Sequence, residues 1–332
     1  MRNAAVKDLG ESRRKRTYML EKVGNYWTVG ILLIIVIVFT SLSPHFFSAG
    51  YWSSTFVYLS EMLLLAVGQT FVVITGGIDL SIGAAEGFIG IIVAIVIRDS
   101  LPLGAVPAII IGVIVGLLTG LLIGFVNGTV ITRLNITPFV ATLGMMGILT
   151  GLTFIVSNGS DIVGLPKQMS ELGNIVFFKV IGFSALISWV VAVVGGIVLS
   201  KTRFGMHTYS IGSNKEASIR SGINVNNHLT RIYMIAGFVA AISAVLIVFR
   251  FNVASPQTGA GVQLNSVAAV AIGGASLFGG VGKMLGSVIG AGIISILITG
   301  LVMINVVPYW QQVAIGAIII GAVYIDQIRQ KQ

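Results

Sequence analysis

Long apolar runs, separated by short polar connections, fill the chain from residue 26 onward. A hydrocarbon layer of about 30 Å requires roughly 17–25 apolar residues for each helical crossing. Ten runs of about this kind lie near residues 26–42, 56–75, 82–97, 103–131, 138–156, 180–199, 232–249, 263–280, 284–304 and 308–325. They are apolar on all sides and rich in Gly and Ala, whereas barrel strands would alternate in polarity. The pattern therefore predicts membrane-spanning helices.

Composition agrees with a membrane protein. Of the 332 residues, 55% are hydrophobic and 9% are charged, and the mean hydropathy is +0.99. A soluble domain cannot bury that much apolar surface. We predict an all-α polytopic membrane protein of about ten transmembrane helices, some of them broken or re-entrant. A basic cytoplasmic tail over residues 1–25 precedes a single transmembrane domain over residues 26–332.

The distribution of Lys and Arg predicts the orientation of the chain. Basic residues are retained on the cytoplasmic side of a membrane, and the N-terminal tail is dense in them. With ten crossings, both termini and a polar stretch at 200–231 lie in the cytoplasm. The segment 157–179 lies outside, as a vestibule, a docking surface or a solvated connector. This topology explains the net charge of +9 through contact with anionic lipid, without a nucleic-acid partner.

The sequence lacks the residues required for several kinds of binding or catalytic site. The chain has no cysteine, and its three histidines, His45, His207 and His228, stand apart. We therefore expect no disulfide, metal site or cofactor. A phosphate-binding loop is also missing, because Gly282-Lys283 is followed by Met284. No nucleophile–base pair is evident, so we expect that this chain is not an enzyme and does not hydrolyse ATP itself.

One apolar run is interrupted by TGGIDLSIG at residues 75–83. Paired glycines followed by a carboxylate make a poor helix interior, so the helix is expected to break there. Broken backbone in a membrane must be covered by protein or line water. The segment is therefore either part of a pathway or a cytoplasmic turn in which Asp79 caps the next helix. A related segment, IGGASLFGG at 272–280, is expected on the same side.

Two glutamates, Glu61 and Glu86, fall within apolar runs. A charge at the centre of a bilayer costs at least about 2.5–3.5 kcal/mol unless it is paired or hydrated, so both are expected to face inward. They either take part in solute passage, lie at helix ends in the headgroup region, or are neutral carboxyls bonded to a neighbouring helix.

A strict four-residue glycine spacing marks the fourth run. Such a ridge lets another helix approach closely, either within one subunit or across a dimer. The glycines are Gly112, Gly116, Gly120, Gly124 and Gly128, and the ninth run repeats the pattern at Gly282, Gly286 and Gly290.

The polar stretch 200–231 contains a predicted short helix. Ser213 is expected to cap its N-terminus, Glu216 to complete a capping box, and Gly222 to end it. Such a helix bracketed by glycines would form a rigid protrusion on the cytoplasmic face. The other interpretation is an ordinary basic loop on the lipid surface.

Several motifs in one order resemble the permease subunits of ATP-binding-cassette importers for sugars such as ribose, xylose and galactose. The motifs are GGIDLS at 76–81, TPFVATLG at 137–144, TRFG at 202–205, SGINV at 221–225, GGASLFGG at 273–280 and PYWQQ at 308–312. Ser213 departs from the family pattern, which more often has a second glycine there.

The resemblance implies a transport subunit in the bacterial cytoplasmic membrane. Two permeases, identical or paralogous, would form the pathway, an ATPase subunit would bind a cytoplasmic coupling helix, and a soluble binding protein would deliver the sugar. The expected coupling residues are Ser213, Asn214, Lys215, Glu216, Ala217, Arg220 and Gly222. The expected pathway residues, chosen as polar residues within or at the ends of apolar runs, are Asp79, Ser81, Asn127, Thr142, Asn158 and Asn265.

A rival interpretation is a proton-coupled secondary transporter. In that case Glu61, Asp79 or Glu86 would relay the proton, and the chain would act without an ATPase. The two interpretations differ in the energy source for uptake.

Overall fold

The structure is a computed structural model that describes residues 28–330, so the basic tail 1–25 lies outside the described residues. The chain is almost entirely helical, and two two-residue strands, β1 (Val176–Phe177) and β2 (Ile181–Gly182), pair antiparallel. The helices are α1 (Thr28–Leu42), α2 (Ala49–Ile74), α3 (Ile82–Ser100), α4 (Ala105–Arg133), α5 (Pro138–Ser157), α6 (Lys167–Gly173), α7 (Phe183–Lys201), α8 (Arg203–Ser213), α9 (Lys215–Arg220), α10 (Val225–Phe251), α11 (Val262–Ile272), α12 (Met284–Met303) and α13 (Pro308–Gln330). Short 3₁₀ helices lie at Pro44–Phe47 and Leu101–Leu103.

Six of the described helices are long and apolar enough to cross a membrane: α2, α4, α5, α7, α10 and α12. This agrees with a polytopic membrane protein. The expected total of ten crossings and the cytoplasmic position of both termini stay predictions. Helix α3 has 19 residues but carries Glu86, Arg98 and Asp99, which set it apart from the six.

Helices α2 and α10 form the centre of the bundle. Most of their residues are buried, and one large apolar core joins them to α7, α11 and α12. A second core joins α10 to α3 and α4. Helix α10 runs between two ends of the molecule: α8 and α9 contact its beginning, and α6 contacts its last turns. We call these the α9 end and the α6 end.

The glycine ridge of α4 packs against helices of the same chain. A Cβ at Gly124 would overlap the Tyr233 carbonyl oxygen, and one at Gly128 would lie 2.5 Å from Thr230 Cα, both on α10. Gly112 and Gly116 face Ile97 and Val93 of α3. The opposite side of α4 presents an exposed apolar stripe at the same spacing, Ile110, Ile114, Leu118 and Leu122.

The predicted break after α2 is confirmed: α2 ends at Ile74, a turn follows, and α3 begins at Ile82. Gly76 adopts φ +77°, and the backbone N–H of Gly76 donates to Val73 O at 2.9 Å. The related segment lies directly against it, since the N–H of Gly280 donates to Ile74 O at 2.8 Å. The two glycine segments therefore share one end of the bundle, the α9 end.

The predicted span 263–280 is wrong in extent. Helix α11 has 11 residues and ends at Ile272, so its length of about 16 Å is only half of what a crossing needs. The reason is local: Gly274 adopts φ +85° directly after the helix end, and Gly279 and Gly280 also have positive φ, so no helix continues to residue 280. The connection 252–261 before it returns into the bundle, where Gly259 meets Gly83 of α3.

Candidate functional site

A buried polar network holds the break between α2 and α3. The Asp79 carboxylate accepts from the Ser81 hydroxyl at 2.6 Å and from the Ser81 N–H at 2.9 Å. The Asn127 amide of α4 in turn donates to Ser81 Oγ at 2.8 Å. All three side chains are buried. The network fixes the first turn of α3 to α4 by side-chain hydrogen bonds, because the backbone between the helices cannot form its own ladder.

Thr142 of α5 joins the same segment from the other side. Its hydroxyl donates to Ile78 O at 3.0 Å and accepts from the N–H of Leu80 at 3.1 Å. The structure thus brings four of the expected pathway residues together: Asp79, Ser81, Asn127 and Thr142. In this arrangement they bond to one another and to backbone. Their role in solute passage stays a prediction.

The other two expected pathway residues lie apart from this network. Asn158 ends α5 in the left-handed conformation at φ +51° and is exposed. Asn265 is half-buried on α11. Sequence reasoning selected both for being polar near an apolar run, which does not specify where they lie in space.

We expect Thr142→Val to lower the free energy of unfolding by about 1–3 kcal/mol, because the Leu80 N–H would stay buried without a partner. Thr150→Val on the same helix is the matched control, since Thr150 is exposed and its hydroxyl bonds only to Met146 O. Thermal unfolding of the purified chain in detergent measures both. Equal melting temperatures for the two variants would contradict the structural role of Thr142.

The polar stretch folds into two helices, α8 and α9, set at an angle by Asn214. Asn214 is extended at φ −160°, and its side chain accepts from the Ala217 N–H at 2.9 Å. The predicted cap at Ser213 is therefore wrong by one residue, because Ser213 is the last residue of α8. An Asn side chain caps as well as Ser does, so the local pattern allowed either position. Gly222 ends α9 with φ +83°, as expected.

Helix α8 is attached firmly to the bundle where the two glycine segments meet. The Tyr209 hydroxyl donates to Gly282 O at 2.7 Å, and burial raises the pKa of this phenol, so it stays a donor. Thr208 Oγ1 lies 2.9 Å from His228 Nε2 of α10. Gly212 packs against Ile74 O, where a Cβ would not fit. A displacement of α8 would therefore reach both glycine segments and α10.

Helix α9, by contrast, projects from the molecule. Apart from Ser218, all its residues are exposed, including the expected coupling residues Lys215, Glu216, Ala217 and Arg220. It combines charged side chains with an exposed apolar one, Ile219, which is 49% exposed. Helix α8 adds Met206, which is 57% exposed. A rigid protrusion with a mixed polar and apolar surface suits a protein partner better than open solvent does.

At the α6 end, the segment predicted to be external is folded against α10. Ile162 pairs with Ala254 through two backbone hydrogen bonds of 2.8 and 3.1 Å, and Gly173 of α6 packs on Phe249. The Asn174 amide donates to Arg250 O at 3.0 Å. After α6, the β1–β2 hairpin exposes Phe178 at its tip.

A cavity of about 290 Å³ lies near the same end, between α2, α7, α10 and the start of α11. Its polar lining comprises Tyr58, Ser60, Glu61, Ser184, Ser243 and Arg250. Glu61 was predicted from the sequence as a charge within an apolar run. Ser184 and Ser243 were not predicted, because a serine in a membrane helix usually bonds to its own backbone and gives no distinct pattern. Arg250 was not predicted as a site residue either.

Comparison with known proteins decides the family. A model of the family described as branched-chain amino acid transport system, permease component, matches residues 51–323. The chain belongs to this family. The ribose import permease protein RbsC of Bacillus subtilis is 36% identical over 324 residues, covering 96% of this chain and 97% of the relative. No solved structure matches the chain significantly.

Two further relatives share most of their length with this permease component. The D-allose transport system permease protein AlsC of Escherichia coli is 33% identical and aligns over 92% of both chains. The galactose/methyl galactoside import permease protein MglC of Haemophilus influenzae is 35% identical over 90% of this chain and 93% of the relative. The names of the relatives give different sugars, although each relative aligns with this chain over nearly its whole length.

Proposed function

We propose that this protein is the permease subunit of an ATP-binding-cassette importer for a monosaccharide, located in the bacterial cytoplasmic membrane. The relatives named for ribose, allose and galactose support the substrate class. The α9 protrusion supports the dependence on a partner, because a channel that works alone needs no exposed, rigid helix fixed to its inner backbone turns.

In the proposed mechanism, an ATPase subunit binds α9 at the cytoplasmic face. Helix α8 would carry the movement of the ATPase to Gly282 through Tyr209 and to Ile74 through Gly212. Both contacts lie at the glycine segments that end α2 and precede α12. A ligand-driven change at α9 would thereby alter how these helices meet, which is the kind of element that two conformational states require.

The α6 end would face the exterior in this orientation, and a soluble binding protein would deliver sugar there. A second permease, identical or paralogous, would complete the pathway. The exposed apolar faces of α4 and α5 would meet lipid or this second subunit. The permease itself performs no covalent chemistry on the sugar, so weak hydrogen bonds suffice for passage.

We expect ATP-dependent sugar uptake in proteoliposomes that contain this chain, its ATPase and its binding protein. Uptake should persist after a protonophore abolishes the proton gradient, since ATP hydrolysis supplies the energy. Liposomes with the chain alone provide the control and should take up nothing against a gradient. Concentrative uptake by the chain alone, lost on addition of the protonophore, would instead identify a proton-coupled transporter.

A further inference from the structure

The cavity near the α6 end is lined by one acidic and one basic side chain that do not form an ion pair. Glu61 of α2 and Arg250 of α10 both line it. Among the side chains that the structure describes, the one ion pair within 4.0 Å is Arg98 with Asp99, so Glu61 and Arg250 form no ion pair. Arg250 instead lies over the Phe251 ring at 5.9 Å. Neither side chain makes a hydrogen bond to another described side chain or backbone group, so both can bond to a molecule in the cavity.

Two buried hydroxyls on the cavity wall also lack partners. Ser184 of α7 is 6% exposed and Ser243 of α10 is 1% exposed, and neither Oγ makes a hydrogen bond within the described part of the chain. Buried polar atoms are nearly always bonded, so unpartnered hydroxyls that face a cavity indicate a ligand or solvent that bonds to them. Both serines are on helices that also contribute to the apolar core, which fixes their positions.

Behind this wall lies Glu86 of α3, which is fully buried. Its two carboxyl oxygens have no hydrogen-bond partner among the described residues, although Glu61 and Ser243 are its neighbours. The Ser243 hydroxyl does not complete a bond of good geometry to it. A ligand that reorients Ser243 would therefore let this hydroxyl bond to Glu86 on one side and to the ligand on the other.

The lining determines the chemistry of the ligand. A carboxyl that accepts, a guanidinium that donates and two hydroxyls that do either match the hydroxyl groups of a polyol. An acidic side chain and a basic one line the same cavity, so a molecule with several hydroxyl groups can bond to both, whereas a lone ion would match one of them only. Tyr58 and Phe251 add ring surface for the C–H groups of a sugar. The volume of about 290 Å³ is at the lower end for ligand sites and suits a small molecule.

We propose that this cavity is a monosaccharide site within each protomer, in which Glu61 and Arg250 bind opposite sides of the sugar. The proposal rests on the function proposed above and adds the place where sugar first binds to the permease. The site lies near the α6 end, where the Asn174 amide bonds to the backbone of Arg250, and where a binding protein would release its sugar in the proposed orientation.

The absence of natural cysteines makes a direct test practical. Val57 lines the cavity, and Val57→Cys gives the full-length chain in nanodiscs a single thiol there. We expect D-ribose, D-allose or D-galactose to slow its maleimide labelling by about threefold when the sugar is at twice its dissociation constant. Ser160→Cys, exposed on the loop after α5, is the control and should label at an unchanged rate.

Three results would overturn the proposal: no protection by any of these sugars, equal protection by sucrose, or protection by leucine alone. The last would identify a zwitterion site, with the amino group on Glu61 and the carboxylate on Arg250. Leu246→Cys lines the same cavity and replaces Val57→Cys if that variant fails to fold.

A second variant tests the assigned residues. Adding Glu61→Gln to Val57→Cys should raise the sugar concentration for half protection about tenfold, because one of the two carboxyl oxygens is replaced by an amide nitrogen that cannot accept a hydrogen bond. Glu171→Gln on the exposed face of α6 is the matched control. An unchanged concentration in Glu61→Gln would reject the role of Glu61 in binding the sugar.

If the assembled importer takes up sugar while Val57→Cys is never protected, the cavity proposal fails and the proposed function stands. If the importer takes up no sugar, the proposed function fails.

Discussion

Gly120→Leu is expected to leave only a small fraction of the molecules folded. A Cβ at Gly120 would overlap the Gly237 carbonyl oxygen of α10 and lie 2.7 Å from Ala241 Cβ. Gly237 faces Gly120 in the same way, so the two backbones are in direct contact and no side-chain movement can make room. Overpacking costs about 1–3 kcal/mol even where side chains yield, and here α4 would have to leave α10. Size-exclusion yield and melting temperature in detergent measure the effect.

Gly147→Leu is the matched control for this experiment. Gly147 lies on α5, and nothing stands within 4 Å of the Cβ that would be added. This variant should fold with nearly the yield and melting temperature of the unmodified chain. If Gly120→Leu behaved like Gly147→Leu, the close packing of α4 on α10 would be wrong.

The double variant Glu216→Ala/Arg220→Ala is expected to weaken binding of the ATPase about 10- to 100-fold while the permease stays folded in the membrane. Both side chains are exposed on α9, so their loss leaves no buried group unpaired. A minority of interface residues cost more than 1 kcal/mol each when truncated, and Arg is enriched among them, so we expect Arg220 to account for most of the loss. Co-purification of the ATPase and its stimulation by sugar-loaded binding protein provide the readouts.

Helix α6 supplies a control of the same chemistry at the opposite end of the molecule. Lys167 and Glu171 are exposed and have the same four-residue spacing as Glu216 and Arg220. Lys167→Ala/Glu171→Ala should leave co-purification of the ATPase unchanged. Normal association and stimulation in the α9 variant would show that the coupling surface lies elsewhere.

Local sequence patterns predicted the secondary structure well where they depend on consecutive residues. The break after Ile74, the end of α9 at Gly222 and the glycine ridge of α4 all follow from backbone freedom or from the absence of a side chain. The two errors, the cap at Ser213 and the span 263–280, also come from relying on local patterns. Ser213 and Asn214 are both good caps, and a hydropathy count did not reveal that glycines end α11 after Ile272.

The spatial arrangement of the expected pathway residues was less predictable. Asp79, Ser81, Asn127 and Thr142 were chosen singly as polar residues in an apolar chain, and nothing in their order indicated that they bond to one another. The cavity was not predicted, because its lining comes from α2, α7, α10 and α11, which are far apart along the chain.

The amino-acid sequence by itself determined that the protein is a helical membrane protein with one long polar stretch between its apolar runs, since apolar length and local charge are properties of neighbouring residues. Only the tertiary structure decided which faces of those helices are buried. Lipid tails are as apolar as a protein core, so hydrophobicity alone does not distinguish a side chain that contacts lipid from one that contacts another helix. Close packing at glycines and a few buried hydrogen bonds make that distinction.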